Sequence, residues 1–395
     1  MEISGSKKIN QLGGYAFDEV NKIVAQLKKD GIKPIDFGVG DPTAETPIFV
    51  RQAVKEAIDL YASSGYPSYV GQNKYRLAIA TWMQKRFGVS INPETEICST
   101  LGSKEAVFHL PQALIDEGDI VILPSPGYPP MKTGTIFAGG QPYFVSLKAE
   151  NNFLLDYNSI PEDIALQAKI IWINYPNSPT GATATKEYYQ GLIAWAQKYN
   201  IIIAADEGCY IDIYFKEKPI SILEVGTEGI ITFYSLSKRN NMTGYRVGFV
   251  AGDPLIIEKF KKLKTNIDSG TADFIQAGAI AALEDEDHAE MMRRDYNEKR
   301  NIMLETFKDI GWPECQSQAT FYLWLKVPQG QNSVSFAKEL LVKELALAVT
   351  PGAWISDLDQ NGFNPGENYV RFALVPPLAL VKEAAQRLRA FYLKK

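Results

Sequence analysis

Between residues 96 and 251 the chain alternates short apolar runs with segments of helical patterning. The runs fall at 96–100, 120–123, 142–145, 169–173, 201–205, 230–233 and 246–251. Most are near-continuously apolar, the pattern of strands buried on both faces. Strands and helices in alternation need crossover connections, which lay the strands parallel and cover both faces of the sheet with helices. The expectation is an α/β domain built on a mostly parallel seven-stranded sheet. Ligands on such a sheet bind beyond the carboxyl ends of its strands. The residues that follow each run therefore carry the functional reading.

Beyond residue 251 the pattern changes. A basic segment, 254–266, has the pattern of a helix with a solvated face. A long charged helix is expected over 285–310, followed by strands at 321–327, 345–349 and 369–374 and helices at 334–343 and 378–393. This is a smaller α+β unit. The division expected is a large domain over 46–284, and a small domain with an N-terminal arm formed by 1–45 together with 285–395. A chain of 395 residues has room for both.

Several function classes are disfavoured. A net charge of −5 recommends no nucleic-acid partner. The start lacks an apolar signal core, and no apolar run is long enough to span a bilayer, so no membrane partner is expected. Cys98, Cys209 and Cys315 are few and widely spaced, which fits a reducing cytoplasm and no disulfide frame. With His109 and His288 as the only histidines, neither a histidine triad nor a zinc cluster is expected. His109 is assigned to packing and His288 to an exposed helix face.

The stretch with the densest chemistry is Ser235-Leu236-Ser237-Lys238, with Arg246 eight residues after the lysine. It lies on the polar turn between the runs 230–233 and 246–251. Two hydroxyls and a guanidinium can grip a phosphate, because arginine presents a planar fork of donors. A lysine beside a gripped phosphate suits a Schiff base with pyridoxal 5'-phosphate, whose aldehyde needs a nearby amine. Ser-x-Ser-Lys with this arginine spacing resembles the cofactor-lysine signature of class I/II aminotransferases, the fold-type I enzymes dependent on pyridoxal phosphate.

The resemblance extends along nearly the whole chain. Leu101-Gly102-Ser103-Lys104 opens a helix where the family cups the cofactor phosphate on backbone N–H groups. Tyr128, in Pro124-Ser125-Pro126-Gly127-Tyr128, stands where the family stacks an aromatic on the pyridine ring. Tyr66, five residues before Gly71, matches a tyrosine that reaches the phosphate of a partner subunit, so the resemblance implies a homodimer with active sites at the interface. Gly40, in Gly38-Val39-Gly40-Asp41-Pro42, matches a glycine that lets backbone approach the substrate. Arg371, in Tyr369-Val370-Arg371-Phe372-Ala373, matches the arginine that binds the substrate α-carboxylate. Tyr15 either lines the substrate pocket from the arm or staples the first helix to a core.

Two places depart from the family pattern. In Asn177-Ser178-Pro179-Thr180-Gly181, serine stands directly before the proline where the family has asparagine. Either Asn177 or Ser178 then meets the ring hydroxyl oxygen. In Asp206-Glu207-Gly208-Cys209-Tyr210, the tyrosine falls four residues after the aspartate instead of three. A carboxylate beside the pyridine nitrogen keeps it protonated. Counting from the strand selects Asp206, with Gly208 as a bulge; counting back from Tyr210 selects Glu207. Asp206 is preferred, and Tyr210 is assigned to the ring oxygen.

The implied activity is transfer of an amino group between an amino acid and a 2-oxo acid, by a ping-pong route in which Lys238 also moves a proton. The arm and the run from Cys209 to Tyr214 are most similar to diaminopimelate-pathway aminotransferases, LL- or N-succinyl-type. Alanine, aspartate and aromatic aminotransferases, and a C–S lyase on the same fold, are the alternatives. An effector-sensing regulator of this family would carry an N-terminal DNA-binding domain, for which the short arm leaves no room.

Overall fold

The computed structural model describes residues 3–12, 18–315 and 317–393. All seven apolar runs of the middle of the chain join one sheet. Its order is Ile97–Thr100, Gly248–Gly252, Ile230–Ser235, Ile202–Gly208, Ala168–Ile173, Ile120–Ser125 and Gln141–Ser146. The strand Gly248–Gly252 runs antiparallel to both neighbours, and the remaining pairs are parallel. The expected α/β architecture is present.

Side-chain alternation explains why the strands are apolar throughout. Ile171, Ile173, Ile203, Ala205 and Ile230 enter the core on one face. Ile170, Trp172, Ala204, Ile231 and Phe233 enter a separate core on the other. Successive residues of a strand point to opposite faces, so two covered faces demand apolar residues at every position. Burying each large aliphatic or aromatic side chain contributes about 1.5–3 kcal/mol.

A third core gathers Phe37, Met303, Phe307, Leu323, Phe336, Val370 and Leu388. Over it lies an antiparallel sheet of Thr350–Pro351, Tyr369–Ala373 and Tyr322–Lys326. The strand Ile35–Asp36 pairs in parallel with Leu347–Ala348, so the N-terminal segment joins residues from the far end of the chain. Tyr210 and Ile213 also enter this core, carrying the chain from the end of a large-sheet strand into it.

One local expectation is corrected and two are made specific. The polar turn that carries Lys238 is a single helical turn, Leu236–Arg239, because the Ser235 hydroxyl caps it by accepting Ser237 N–H at 3.2 Å. His288 is half-buried, edge-on to Phe49, rather than exposed. The helix Pro254–Lys264 is not wholly solvated, since the Lys264 side chain is fully buried between Glu105 and Asp268.

Candidate active site

The irregular spacing at Asp206 has a structural cause. Pairing with the next strand steps from Ala205 opposite Thr232 to Gly208 opposite Tyr234. Asp206 and Glu207 therefore share the space opposite Phe233, which is a bulge. The extra residue sits one position earlier than the Gly208 expected from sequence, and Gly208 is back in register, pressed against Tyr234.

The bulge sends the two carboxylates to different fates. Glu207 accepts from the Ser221 hydroxyl at 2.6 Å, the Tyr234 hydroxyl at 3.0 Å and Ile222 N–H at 3.3 Å. Its hydrogen-bonding capacity is committed to structure. Asp206 is 3% exposed, and its Oδ1 has no hydrogen-bond partner among the described residues. Burial alone pushes the Asp206 carboxyl up to about 7. A buried, unpartnered carboxyl oxygen is costly unless a ligand completes it.

Glu207 yields a stability prediction. Burial raises its carboxyl to about 8, against the lowering effect of its three donors. A raised folded-state pKa stabilises fully below the ordinary carboxylate range, and that contribution is lost as pH rises through about 8. Glu207→Gln should therefore show a smaller fall in melting temperature than the unaltered protein between about pH 5 and pH 9, with the remaining slope due partly to Asp206. Parallel curves would contradict this.

Lys238 reaches across from its helical turn and donates from Nζ to the Gly40 carbonyl at 2.6 Å. Burial lowers its pKa; Cys209 and Asp41 act to raise it, and the Arg246 and Arg371 guanidiniums to lower it further. Gly40 is glycine for a steric reason, since a Cβ there would collide with the Tyr322 hydroxyl. That hydroxyl lies 3.0 Å from the hydroxyl of Tyr210. The Arg371 guanidinium lies 4.5 Å from the Tyr322 ring centroid. Its Nη2 donates to the Gly38 carbonyl at 2.8 Å and to the Thr350 hydroxyl at 3.3 Å, while its Nε is buried without a partner among the described residues. Thus Lys238, Gly40, Tyr210 and Arg371 converge around Tyr322.

Tyr322 carries no motif, and sequence reasoning missed it. Its one signal is positional: the run 321–327 pairs with the strand of Arg371, and Tyr322 stands opposite Ala373. Asn174 was missed as well. Its side chain holds the bulge by donating Nδ2 to the Asp206 carbonyl and accepting Ser178 N–H at 2.8 Å on Oδ1.

The basic end of the site forms where a helix begins. Gly102, with φ of 76°, precedes the helix Ser103–Leu114, and a Cβ on it would strike the Arg246 guanidinium. Arg246 itself has φ of 52°, a left-handed conformation costing a non-glycine residue about 1–2 kcal/mol. It is held there by Nη1 to the Thr243 carbonyl at 2.7 Å and Nη2 to the Leu101 carbonyl at 3.0 Å. Ser235 and Ser237 are buried, with their hydroxyls 2.9 Å apart. Ser103 is buried with its hydroxyl 3.1 Å from Cys209 Sγ, and Lys104 is exposed. Burial pushes the Cys209 thiol up to about 12, so it is not a thiolate nucleophile at neutral pH.

Tyr128 immediately precedes the helix Pro129–Ala138. Its phenol is held well above its ordinary range by burial, with Cys209, Asp206 and Tyr322 adding to the shift and Arg246 opposing it. The field of the cradle arginine and that of the buried aspartate thus meet at this ring. Asn177 is fully buried, with Oδ1 accepting from the Thr180 N–H and hydroxyl, and Nδ2 without a partner among the described residues. Tyr66 stands apart from all of these and is 87% exposed. Tyr15 lies outside the described residues.

Among the buried polar atoms that lack partners among the described residues are an acid oxygen on Asp206, an amide donor on Asn177 and a guanidinium donor on Arg371. Beside them stand a lysine of lowered pKa and a cradle of arginine, hydroxyls and a helix start. Pyridoxal phosphate offers the matching groups, namely a basic ring nitrogen, a ring oxygen, an aldehyde and a phosphate. The residues fit that cofactor. No cluster of metal-ligating side chains occurs among the described residues.

Comparison with known proteins agrees with this chemistry. The family model for aminotransferase class I and II matches residues 32–388. A protein of Aquifex aeolicus (strain VF5) named LL-diaminopimelate aminotransferase is 44% identical over 389 residues, covering 97% of this chain and 98% of that one. The crystal structure of an aminotransferase from Neisseria meningitidis superposes with a TM-score of 0.90 at 30% identity, covering 98% of this chain and 100% of that one. A probable N-succinyldiaminopimelate aminotransferase from Thermus thermophilus superposes with a TM-score of 0.86 at 28% identity, covering 95% and 100%.

Proposed function

The chain belongs to the class I and II aminotransferases, and on that premise we propose that it binds pyridoxal phosphate and uses LL-diaminopimelate as amino donor. It is an aminotransferase, moving an amino group between an amino acid and a 2-oxo acid in two half-reactions. The observation that carries the donor assignment is the 44% identity, along almost the full length of both chains, to the Aquifex protein of that name.

Bound pyridoxal phosphate would supply an electron sink for the pair released when the donor loses its α-proton. Asp206 would hold the ring nitrogen, and Tyr210 and Asn177 the ring oxygen. Tyr128 would stack on the ring. The N–H groups of Gly102, Ser103 and Lys104, with Ser235, Ser237 and Arg246, would hold the phosphate. Lys238 would hold the aldehyde carbon, and its lowered pKa favours a neutral amine that can accept the donor's α-proton and later return one. Arg371 would grip the α-carboxylate through its unpartnered Nε, while Nη2 stays on Gly38 and Thr350 and fixes the guanidinium. Gly40 would let backbone approach the substrate.

A homodimer is part of the proposal. Tyr66 is almost fully exposed, and Ile48, Ile58 and Leu60 on the nearby helix Ile48–Leu60 are exposed as well. A second copy would cover such a face and receive the Tyr66 hydroxyl. No helix among the described residues is long and apolar enough to cross a membrane. The cysteines are free, which supports a reducing, cytoplasmic setting.

Two measurements test the site. Arg371→Ala should raise the KM for the donor and lower kcat/KM by about 10- to 100-fold, the worth of a charge-assisted pair, while cofactor absorbance stays. Loss of the cofactor with an unchanged donor KM would place Arg371 elsewhere. A donor panel of LL- and meso-diaminopimelate, N-succinyl-LL-diaminopimelate, aspartate, alanine and phenylalanine should give LL-diaminopimelate the highest kcat/KM. A larger kcat/KM for any other donor would overturn the substrate assignment and leave the aminotransferase standing.

A further inference from the structure

A buried ammonium stands behind the basic cradle. Lys264 ends the helix Pro254–Lys264, and its side chain is completely buried. It donates to Glu105 Oε1 at 2.8 Å and to Asp268 Oδ2 at 2.7 Å. Each carboxylate has a second task. Glu105 Oε1 also accepts Leu101 N–H at 3.1 Å, and the Leu101 carbonyl is the one that receives Arg246 Nη2. Asp268 Oδ1 accepts Gly270 N–H at 2.7 Å, and Gly270 passes against the backbone of Ser68 and Tyr69, in the segment that carries Tyr66. Further hydrogen bonds continue this seam, a buried one from the Thr271 hydroxyl to the Thr100 carbonyl at 3.2 Å and a half-buried one from Gln72 N–H to Gln276 Oε1 at 2.8 Å.

We propose that Lys264 is a positioning residue for the phosphate end of the cofactor site, fixing the Leu101-Gly102 turn through Glu105 and the Gly270 turn through Asp268; this rests on pyridoxal phosphate being the cofactor. Buried ion pairs contribute little net stability over apolar packing, and one partner removed leaves the other uncompensated. What the pairing supplies here is orientation. Glu105 Oε2 is buried without a partner among the described residues, so its carboxylate depends on the Lys264 charge. Without that charge the buried carboxylate turns away, and its hold on Leu101 N–H weakens. Arg246 then loses the fixed carbonyl that aims its guanidinium, and the helix start beside Gly102 loses its register with it. The ring end of the site, at Asp206 and Asn177, is reached by other strands and keeps its geometry.

The test compares binding of pyridoxal phosphate with binding of pyridoxal, the same ring without phosphate, to the full chain. Lys264→Met and Glu105→Ala should each weaken pyridoxal phosphate by about tenfold or more while pyridoxal changes by less than about twofold. Inorganic phosphate should compete correspondingly less well with pyridoxal phosphate in both variants. In Glu105→Ala the ammonium keeps Asp268, so this variant decides the matter alone if Lys264→Met does not fold. Equal weakening of both ligands, or no weakening of either, would overturn the proposal while the unaltered chain still binds pyridoxal phosphate. No binding by the unaltered chain would overturn the cofactor reading itself.

Discussion

Lys238→Ala should yield a folded protein with no transaminase activity and no visible cofactor absorbance. Lys238 is the lysine whose Nζ reaches the Gly40 carbonyl, within the fields of Arg246 and Arg371. Lys104, the nearest alternative in the motifs, is exposed at the cradle and holds no such position. Removing the group proposed to anchor the cofactor and to move the proton should cost roughly 10⁴-fold or more in kcat, the upper range for a proton-transfer residue. Lys238→Arg should fail equally, because a guanidinium stays protonated and cannot take up a proton. Turnover by Lys238→Ala without added amine would remove Lys238 from the reaction.

Asp206→Asn is expected to have the next largest effect, and Glu207→Gln almost none on the reaction. The two carboxylates are adjacent in sequence, yet Glu207 is occupied by Ser221, Tyr234 and Ile222. The buried oxygen of Asp206 has no such partner among the described residues. Alone it is held near 7 by burial; a cationic ring nitrogen beside it would bring it back toward the ionised form. The amide of asparagine keeps the shape and removes the charge. The half-reaction with the donor should slow by roughly 10²–10³-fold, the scale on which a preorganised electrostatic partner is lost. The visible absorbance due to Lys238 should persist. Severe loss in Glu207→Gln with a mild effect in Asp206→Asn would reverse the assignment.

Much of this was legible in the sequence because the strands are buried on both faces. Ile170, Ile171, Trp172 and Ile173 are apolar at every position, since alternate residues feed separate cores. The strand ends then announce the site through residues that packing does not require, such as Asp206, Asn177 and Lys238. Where the sequence misled, a tertiary partner decided the outcome. Lys264 looks like any lysine of a basic helix, and it takes Glu105, far away in the chain, together with Asp268 to make its burial tolerable. The bulge was visible as one residue too many before Tyr210. Its position at Asp206 and Glu207 depends on the pairing with Thr232 and Tyr234, which local spacing does not encode. Tyr322 has no flanking motif at all; it enters the site because its strand pairs with that of Arg371.

The central claim is transfer of the amino group itself, as opposed to its release. The direct measurement follows nitrogen from ¹⁵N-labelled LL-diaminopimelate in the presence and absence of a panel of 2-oxo acids. The expected result is label in the amino acid formed from the oxo acid, one for one with donor consumed, and no more than one turnover without acceptor. Sustained release of labelled ammonium in the absence of any oxo acid would contradict an aminotransferase and point to elimination chemistry on the same fold.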